Sequence, residues 1–253
     1  MSAFLSVDNI HMIYQTPTEE TVAVDNVSFD VDKGEFVSLV GPSGCGKSTL
    51  LGCIAGLQTA QKGSITLDGK DISGCGQSIG YMLQSDNLLP WRSVWRNVVI
   101  GLEIQKKLNE ENTEYVSNLL KKYDLWQFKD SFPNRLSGGM RQRVALIRTL
   151  ALKPQLLLLD EAFSALDYQT RVNVSCDVWE ILRRENKTMV MVTHDIPEAV
   201  AMSDKVIVLS KRPAVVAKTV GIDFGANRPN PIAVRGHPLF QQYFNTIWKE
   251  LVL

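Results

Sequence analysis

The chain has 253 residues, 45% of them apolar and 21% charged. That composition excludes a disordered or fibrous protein and supplies one large core, or one domain carrying an insertion. Lys plus Arg and Asp plus Glu number 27 each, so there is no net positive charge to draw in nucleic acid. Four cysteines, at 45, 53, 75 and 176, form no CxxC pair. No apolar run approaches the roughly 18–20 residues of a spanning helix, and no basic region precedes an apolar one at the start. The expectation is a reduced, cytosolic, soluble protein.

In chain order, Leu5 to Tyr14 and Val22 to Val31 read as two antiparallel strands joined by a polar loop, Gln15 to Glu20. Glu35 to Val40 is a mostly apolar strand running into Gly41, and residues 48–57 read as a helix closed by Gly56. Ile65–Leu67 and Ile79–Leu83 predict further strands between Gly-rich turns. From about 85 to 150 helix formers dominate, with helices over 110–123 and 140–152. Strand and helix then alternate: a strand at 156–159, a helix over about 168–185, a strand at 188–193, a short helix at 196–202 and a strand at 205–209. Leu156–Leu159 and Val206–Leu209 are unbroken apolar runs, as expected of parallel strands buried on both faces. Val172, Cys176 and Trp179 predict the buried face of the 168–185 helix. After about Gly225 the chain is Pro- and Asn-rich up to a predicted helix over 239–251. The fold class is α/β, a core with a mostly parallel sheet, interrupted by an α-helical insertion.

Gly41-Pro42-Ser43-Gly44-Cys45-Gly46-Lys47-Ser48-Thr49 matches G-x-x-x-x-G-K-[ST] and stands between a strand and a helix. Glycines let such a loop turn successive backbone N–H groups toward an anion, and the helix start adds its positive end. Lys47 would reach the β- and γ-phosphates and Ser48 would ligate Mg²⁺. The loop alone fits a kinase, a GTPase or an ATPase. Leu156-Leu157-Leu158-Leu159-Asp160-Glu161 ends a buried strand with two carboxylates that can reach one crevice at the sheet's carboxyl edge. Asp160 suits the Mg²⁺ shell, and Glu161 suits a base that orients or deprotonates an attacking water. Cys45, at a helix N-terminus, is expected to favour its thiolate and to react with alkylating agents unless ATP protects it.

These residues resemble the nucleotide-binding subunit of ABC transporters, over nearly the whole chain up to about residue 220. Leu136-Ser137-Gly138-Gly139-Met140 looks like the family's signature, Ser164-Ala165-Leu166-Asp167 like its D-loop, Gln84 like the Q-loop glutamine and His194 like the switch histidine. Tyr14 stands where the family places an aromatic residue that stacks on adenine. The resemblance implies a P-loop NTPase core over 1–84 and 151–224 with an N-terminal antiparallel β subdomain. It also implies an inserted helical subdomain over 85–150 and a C-terminal extension over 225–253. It implies ATP bound by Tyr14, residues 41–49 and, from a second subunit, Ser137, Gly138 and Gly139. The metal would be held by Ser48, Gln84 and Asp160, and Glu161, His194, Gln84 and Lys47 would serve catalysis. The second nucleotide-binding subunit is an identical copy or a paralogue. Separate membrane permease subunits would dock near Gln84 and Trp91 in Leu88-Leu89-Pro90-Trp91-Arg92-Ser93-Val94-Trp95, placing the chain on the cytoplasmic face of the membrane. A periplasmic or surface-anchored solute-binding protein would act indirectly, and no nucleic acid is expected.

Leu88–Trp91, Met140 where the general signature has Gln, and Leu209-Ser210-Lys211-Arg212-Pro213 are similar to importer ATPases of the nitrate, sulfonate and taurine type. Two other readings remain: a soluble ABC-type ATPase serving DNA repair or translation, and a small-molecule kinase. The first often carries paired nucleotide domains or basic insertions, and the second leaves the signature, Asp167 and His194 without a role.

Overall fold

The computed structural model describes residues 3–15, 19–164, 166–226 and 228–252. Ten strands and seven α-helices follow in chain order: β1 (Leu5–Gln15), β2 (Glu20–Val31), β3 (Phe36–Val40), α1 (Lys47–Ile54), β4 (Lys62–Leu67), β5 (Lys70–Asp71), β6 (Ile79–Met82), α2 (Val94–Ile104), α3 (Glu110–Lys122), α4 (Gly138–Leu150), β7 (Leu156–Asp160), α5 (Tyr168–Arg184), β8 (Thr188–Val192), α6 (Ile196–Met202), β9 (Lys205–Leu209), β10 (Val216–Gly221) and α7 (Phe240–Val252). Residues 16–18 of the expected polar loop, and Ala165 of the D-loop, lie outside the described residues. The helix expected over 48–57 ends at Ile54. Gly56, at φ +69°, makes the turn beyond it, in the left-handed region that only glycine enters freely.

Two sheets form. One is antiparallel, in the order β2-β1-β4-β5; the other runs β10-β9-β3-β8-β7-β6 and is parallel except for β10. This is the α/β arrangement with a mostly parallel sheet that the apolar runs predicted. Side chains of a strand alternate between faces, and the central strands use both. Val37, Leu39, Leu156, Leu158, Val190 and Val192 pack with α1 and the antiparallel sheet. Phe36, Leu157, Leu159, Met189 and Met191 face the other way, into the cluster built with α2 to α5. Val40, Val206 and Val208 join α6, Phe224, Val234 and Ile247 of α7 in a third cluster. Each fully buried aliphatic chain of this kind contributes about 1.5–3 kcal/mol.

One seam differs from the sequence reading. The helix α5 buries Val174, Val178, Ile181 and Leu182 in the core shared with α2 to α4. Val172 is only half-buried, and Cys176 is buried outside that cluster. Helical spacing fits both faces, and the wider aliphatic stripe wins the larger buried area. The parallel register places the carboxyl ends of β9, β3, β8, β7 and β6 side by side, so the loops leaving these strands share one edge.

Candidate functional site

That edge gathers the 41–49 loop, Gln84, Asp160, Glu161 and His194, which the sequence singled out. The strand β3 leads into the 41–46 loop and α1, whose N-cap is Gly46 at φ +123°, with no side chain capping the first turn. By contrast α2, α3, α4, α5 and α6 are capped by Ser93, Asn109, Ser137, Asp167 and Asp195. The first N–H groups of α1 are thus left for an anion. A Cβ on Gly46 would lie 2.5 Å from the Ala23 carbonyl oxygen, so the loop passes β2 where no side chain fits. Lys47 is buried, and its ammonium donates to the carbonyls of Gly41 and Pro42, each at 2.8 Å.

A pocket of about 380 Å³ opens over this loop, lined by Tyr14, Thr21, Ala23, Ser43, Gly44, Gly46, Lys47, Ser48, Thr49, Glu161 and Arg212. Tyr14 is 41% exposed at one end, its hydroxyl 3.1 Å from both Thr49 Oγ1 and Gln58 Oε1. Cys45 corrects an expectation. It is 1% exposed and packs in the apolar cluster beneath the loop, its Sγ 3.9 Å from Lys47 Nζ. A thiol so enclosed does not meet an alkylating agent without the loop opening first.

The two carboxylates diverge in environment. Asp160 ends β7 and accepts from Ser48 Oγ at 3.1 Å and from the Tyr81 hydroxyl at 3.2 Å. Burial raises the Asp160 carboxyl above the usual range, and those two hydrogen bonds pull it back. Glu161 has φ +46°, a conformation that is uncommon for a residue with a side chain and that clusters at functional sites. Its backbone N–H still pairs with Val192 O at 2.9 Å. The turn breaks the strand's alternation, and Glu161 lines the same pocket as Ser48, the donor to Asp160. Glu161 Oε2 lies 3.3 Å from His194 Nδ1 and 3.4 Å from Gln84 Nε2.

Ser48 and Asp160 together offer hard oxygen donors. Among the described residues no group of three or more His, Cys, Asp or Glu forms a metal cage. An ion here would take its other ligands from phosphate and water, and that donor set fits Mg²⁺. Gln84, also expected as a metal ligand, turns its amide to Glu161 and to Ser164 Oγ, at 3.4 Å each.

Ser137, Gly138 and Gly139 stand elsewhere. Ser137 caps α4 by accepting from the Met140 N–H at 3.3 Å. Gly139 is buried where a Cβ would sit 2.8 Å from Thr170 Cγ2. Gly138 lines a second pocket, of about 490 Å³, with Gln84, Asp86, Arg141, Glu161, Leu166 and His194. None of the three lines the phosphate-loop pocket; Glu161 borders both.

Four residues with no site role in the sequence reading also join it; Arg212 stood there only as part of the 209–213 resemblance. Tyr81 holds Asp160, and Arg212 donates to Gly44 O from Nε and Nη2, at 3.0 and 2.8 Å. Arg171 joins the D-loop to the residue after His194: it donates to the carbonyls of Leu166 at 2.9 Å and Ser164 at 3.4 Å, and pairs with Asp195 at 3.4 Å. Glu198, in α6, is buried and accepts from Thr193 Oγ1 at 2.6 Å, while Thr193 Oγ1 in turn accepts from the Asp195 N–H at 3.0 Å.

Burial pushes the Glu198 carboxyl from 4.5 up to about 7, only partly opposed by the Thr193 hydrogen bond. Because its folded value is raised, its contribution to stability is full below about pH 4.5 and is lost as the pH rises to about 7. Glu198→Gln is therefore expected to remove about 3 kcal/mol of pH-dependent stability across that window. Denaturant titrations at pH 5 and 7.5 check it, as the difference between variant and parent. An unchanged pH slope would refute the assignment.

An uncapped helix start behind a glycine loop, with a serine and a carboxylate set for a metal and a second carboxylate beside a histidine, defines a P-loop nucleotide hydrolase. The comparisons agree. The family model for ABC transporters matches residues 24–164. The chain is 45% identical to the ABC transporter ATP-binding protein YtlC of Bacillus subtilis, which has not been characterised, over 98% of this chain and 96% of that one. It is 38% identical to the nitrate transport protein NasD of Klebsiella oxytoca, over 91% and 88%. A dimeric, post-hydrolysis ATP-binding cassette, MJ0796, with ADP and phosphate bound, superposes with a TM-score of 0.77 at 30% identity, covering 87% of this chain and all of that one. The chain belongs to the ABC transporter family, as an ATP-binding and ATP-hydrolysing subunit.

Proposed function

We propose that two such subunits close around two Mg-ATP and power the import of a small anion or organic solute, of the nitrate, sulfonate or taurine type, through separate membrane subunits. One observation carries the dimer: the phosphate-loop pocket contains no residue of the Ser137–Gly139 segment. In this reading each pocket is completed by the α4 start of a second copy or paralogue, whose Gly138 and exposed Ser137 meet the terminal phosphate.

The loop amides and Lys47 bind the phosphates, the ammonium exchanging its Gly41 and Pro42 carbonyls for phosphate oxygens. Ser48 and Asp160 would hold Mg²⁺, which when bound would supply charge neutralisation for the phosphates. Glu161 holds the attacking water and takes its proton as the bond to the bridging oxygen breaks, giving ADP and phosphate. His194 and Gln84 both hold the Glu161 carboxylate at Oε2. The order of placement links occupancy to transport: Gln84 touches Glu161 and lies seven residues before Trp91, which is 72% exposed, while Trp95 packs into the core. A membrane subunit docked at Trp91 would sense the nucleotide through that segment.

No helix among the described residues is long and apolar enough to cross a membrane, so this reading places the chain peripherally at the cytoplasmic face. Relatives named for nitrate import, such as the Synechocystis NrtD at 36% identity, support the solute class. The test is to purify the tagged chain from detergent-solubilised native membranes. A stoichiometric polytopic membrane protein is expected, with a solute-binding protein whose ligand identifies the substrate. Recovery only from the soluble fraction, without a membrane partner, overturns the transport reading.

A further inference from the structure

The phosphate-loop pocket contains two cations, Lys47 and Arg212. Lys47 belongs to the loop. Arg212 comes from the β9–β10 hairpin, which the backbone fixes to the opposite wall: Ala214 N–H donates to Ala23 O at 3.0 Å, and Asp25 N–H to Ala214 O at 2.9 Å. Ala23 itself lines the pocket, so the hairpin bridges β2 and the loop with Arg212 at its tip. The guanidinium makes two bonds to Gly44 O, from Nε and Nη2. A guanidinium has five N–H donors, so three remain. Among the described residues no carboxylate lies within ion-pair distance of it: the recorded pairs of Arg, Lys and His with Asp and Glu omit Arg212.

An arginine on a hairpin tied to β2, lining an anion pocket and left with unspent donors, is suited to phosphate, which it can bind through two parallel N–H bonds. We propose that Arg212 is a direct ligand of the nucleotide's phosphate chain, reaching it from the β9–β10 hairpin rather than from the loop. The proposal rests on the reading of this pocket as the ATP site and adds a contact from outside the loop. It gives the hairpin a reason for its charge. A strut for Gly44 alone would need one donor on a neutral side chain, whereas a second cation in the pocket adds positive charge that a bound anion would offset.

Equilibrium binding of ATP and of inorganic tripolyphosphate, which lacks sugar and base, tests this on the full chain and on R212Q and R212K. Arg212→Gln is expected to weaken both ligands about ten-fold, the scale of one charge-assisted hydrogen bond to phosphate. Arg212→Lys should recover part of that loss, since it restores the charge but neither the paired bonds to phosphate nor those to Gly44. Unchanged binding by R212Q overturns the proposal. So does a lysine variant no better than the glutamine one, which would make Arg212 a support for Gly44. Loss of ATP affinity with tripolyphosphate unaffected overturns it as well, because the contact would then be to sugar or base. Thermal melting without nucleotide confirms that each variant is folded. A parent chain binding neither ligand would refute the ATP site itself and is distinguishable from all of these.

Discussion

Glu161→Gln is expected to bind ATP as the parent does and to hydrolyse it at least about 100-fold more slowly, the usual contribution of a positioned base. The substitution keeps the shape and leaves an acceptor oxygen for Gln84 and His194, which stand 3.4 and 3.3 Å away. It removes the negative charge and the capacity to take a proton. The left-handed backbone at Glu161 tolerates glutamine no worse than glutamate, so the fold should be unaffected. With hydrolysis blocked and affinity intact, the ATP-bound state persists, and the variant should form a stable dimer in ATP that the parent forms only briefly. Single-turnover hydrolysis and light scattering with and without ATP measure both effects. Turnover at the parent's rate would remove Glu161 from the chemistry and make Asp160 the next candidate. A slow variant that stays monomeric in ATP would keep the base and cost the dimer its support.

The parts of this site that the sequence exposed are those whose chemistry is local. Residues 41–49 carry their pattern in nine consecutive positions, and Asp160 and Glu161 follow an apolar run of the kind a strand buried on both faces shows. Ser137 reads as a cap because capping is set by three residues. What stayed hidden depends on distant parts of the chain meeting. Tyr81 reaches Asp160 across 79 positions and Arg212 reaches Gly44 across 168. The strand β10 lies at a sheet edge, where its exposed Lys218 and Thr219 dilute the apolar signal. The helix α2 was obscured because Trp91 and Trp95 suggested a docking patch; Ser93, which caps it, was the available sign. Cys45 shows the limit most plainly. Its position in the loop is legible, but the direction of its side chain is decided by the packing beneath.

Lys47→Met, which keeps an apolar stem and removes the ammonium, is expected to lower ATP affinity about 100-fold while leaving the chain folded. Lys47 is buried against two carbonyls, so its removal has two consequences that oppose each other in the measurement. Without nucleotide, the Gly41 and Pro42 carbonyls lose their donor, which costs about 1–3 kcal/mol if water does not replace it. With nucleotide, the loss is larger, because the missing partner is an ionic donor to phosphate and the loop must hold several negative charges with one cation fewer. Hydrogen bonds to charged groups contribute about 1.5–3 kcal/mol each, and about 2.7 kcal/mol corresponds to the 100-fold expected. The uncapped start of α1 remains, so residual binding should persist and weaken steeply with salt. ATP titrations at low and high ionic strength, with melting curves of the free variant, separate the two terms. Affinity equal to the parent's would mean that the ammonium stays on its own carbonyls when ATP binds, and Lys47 would then be a structural lysine holding the loop's curvature.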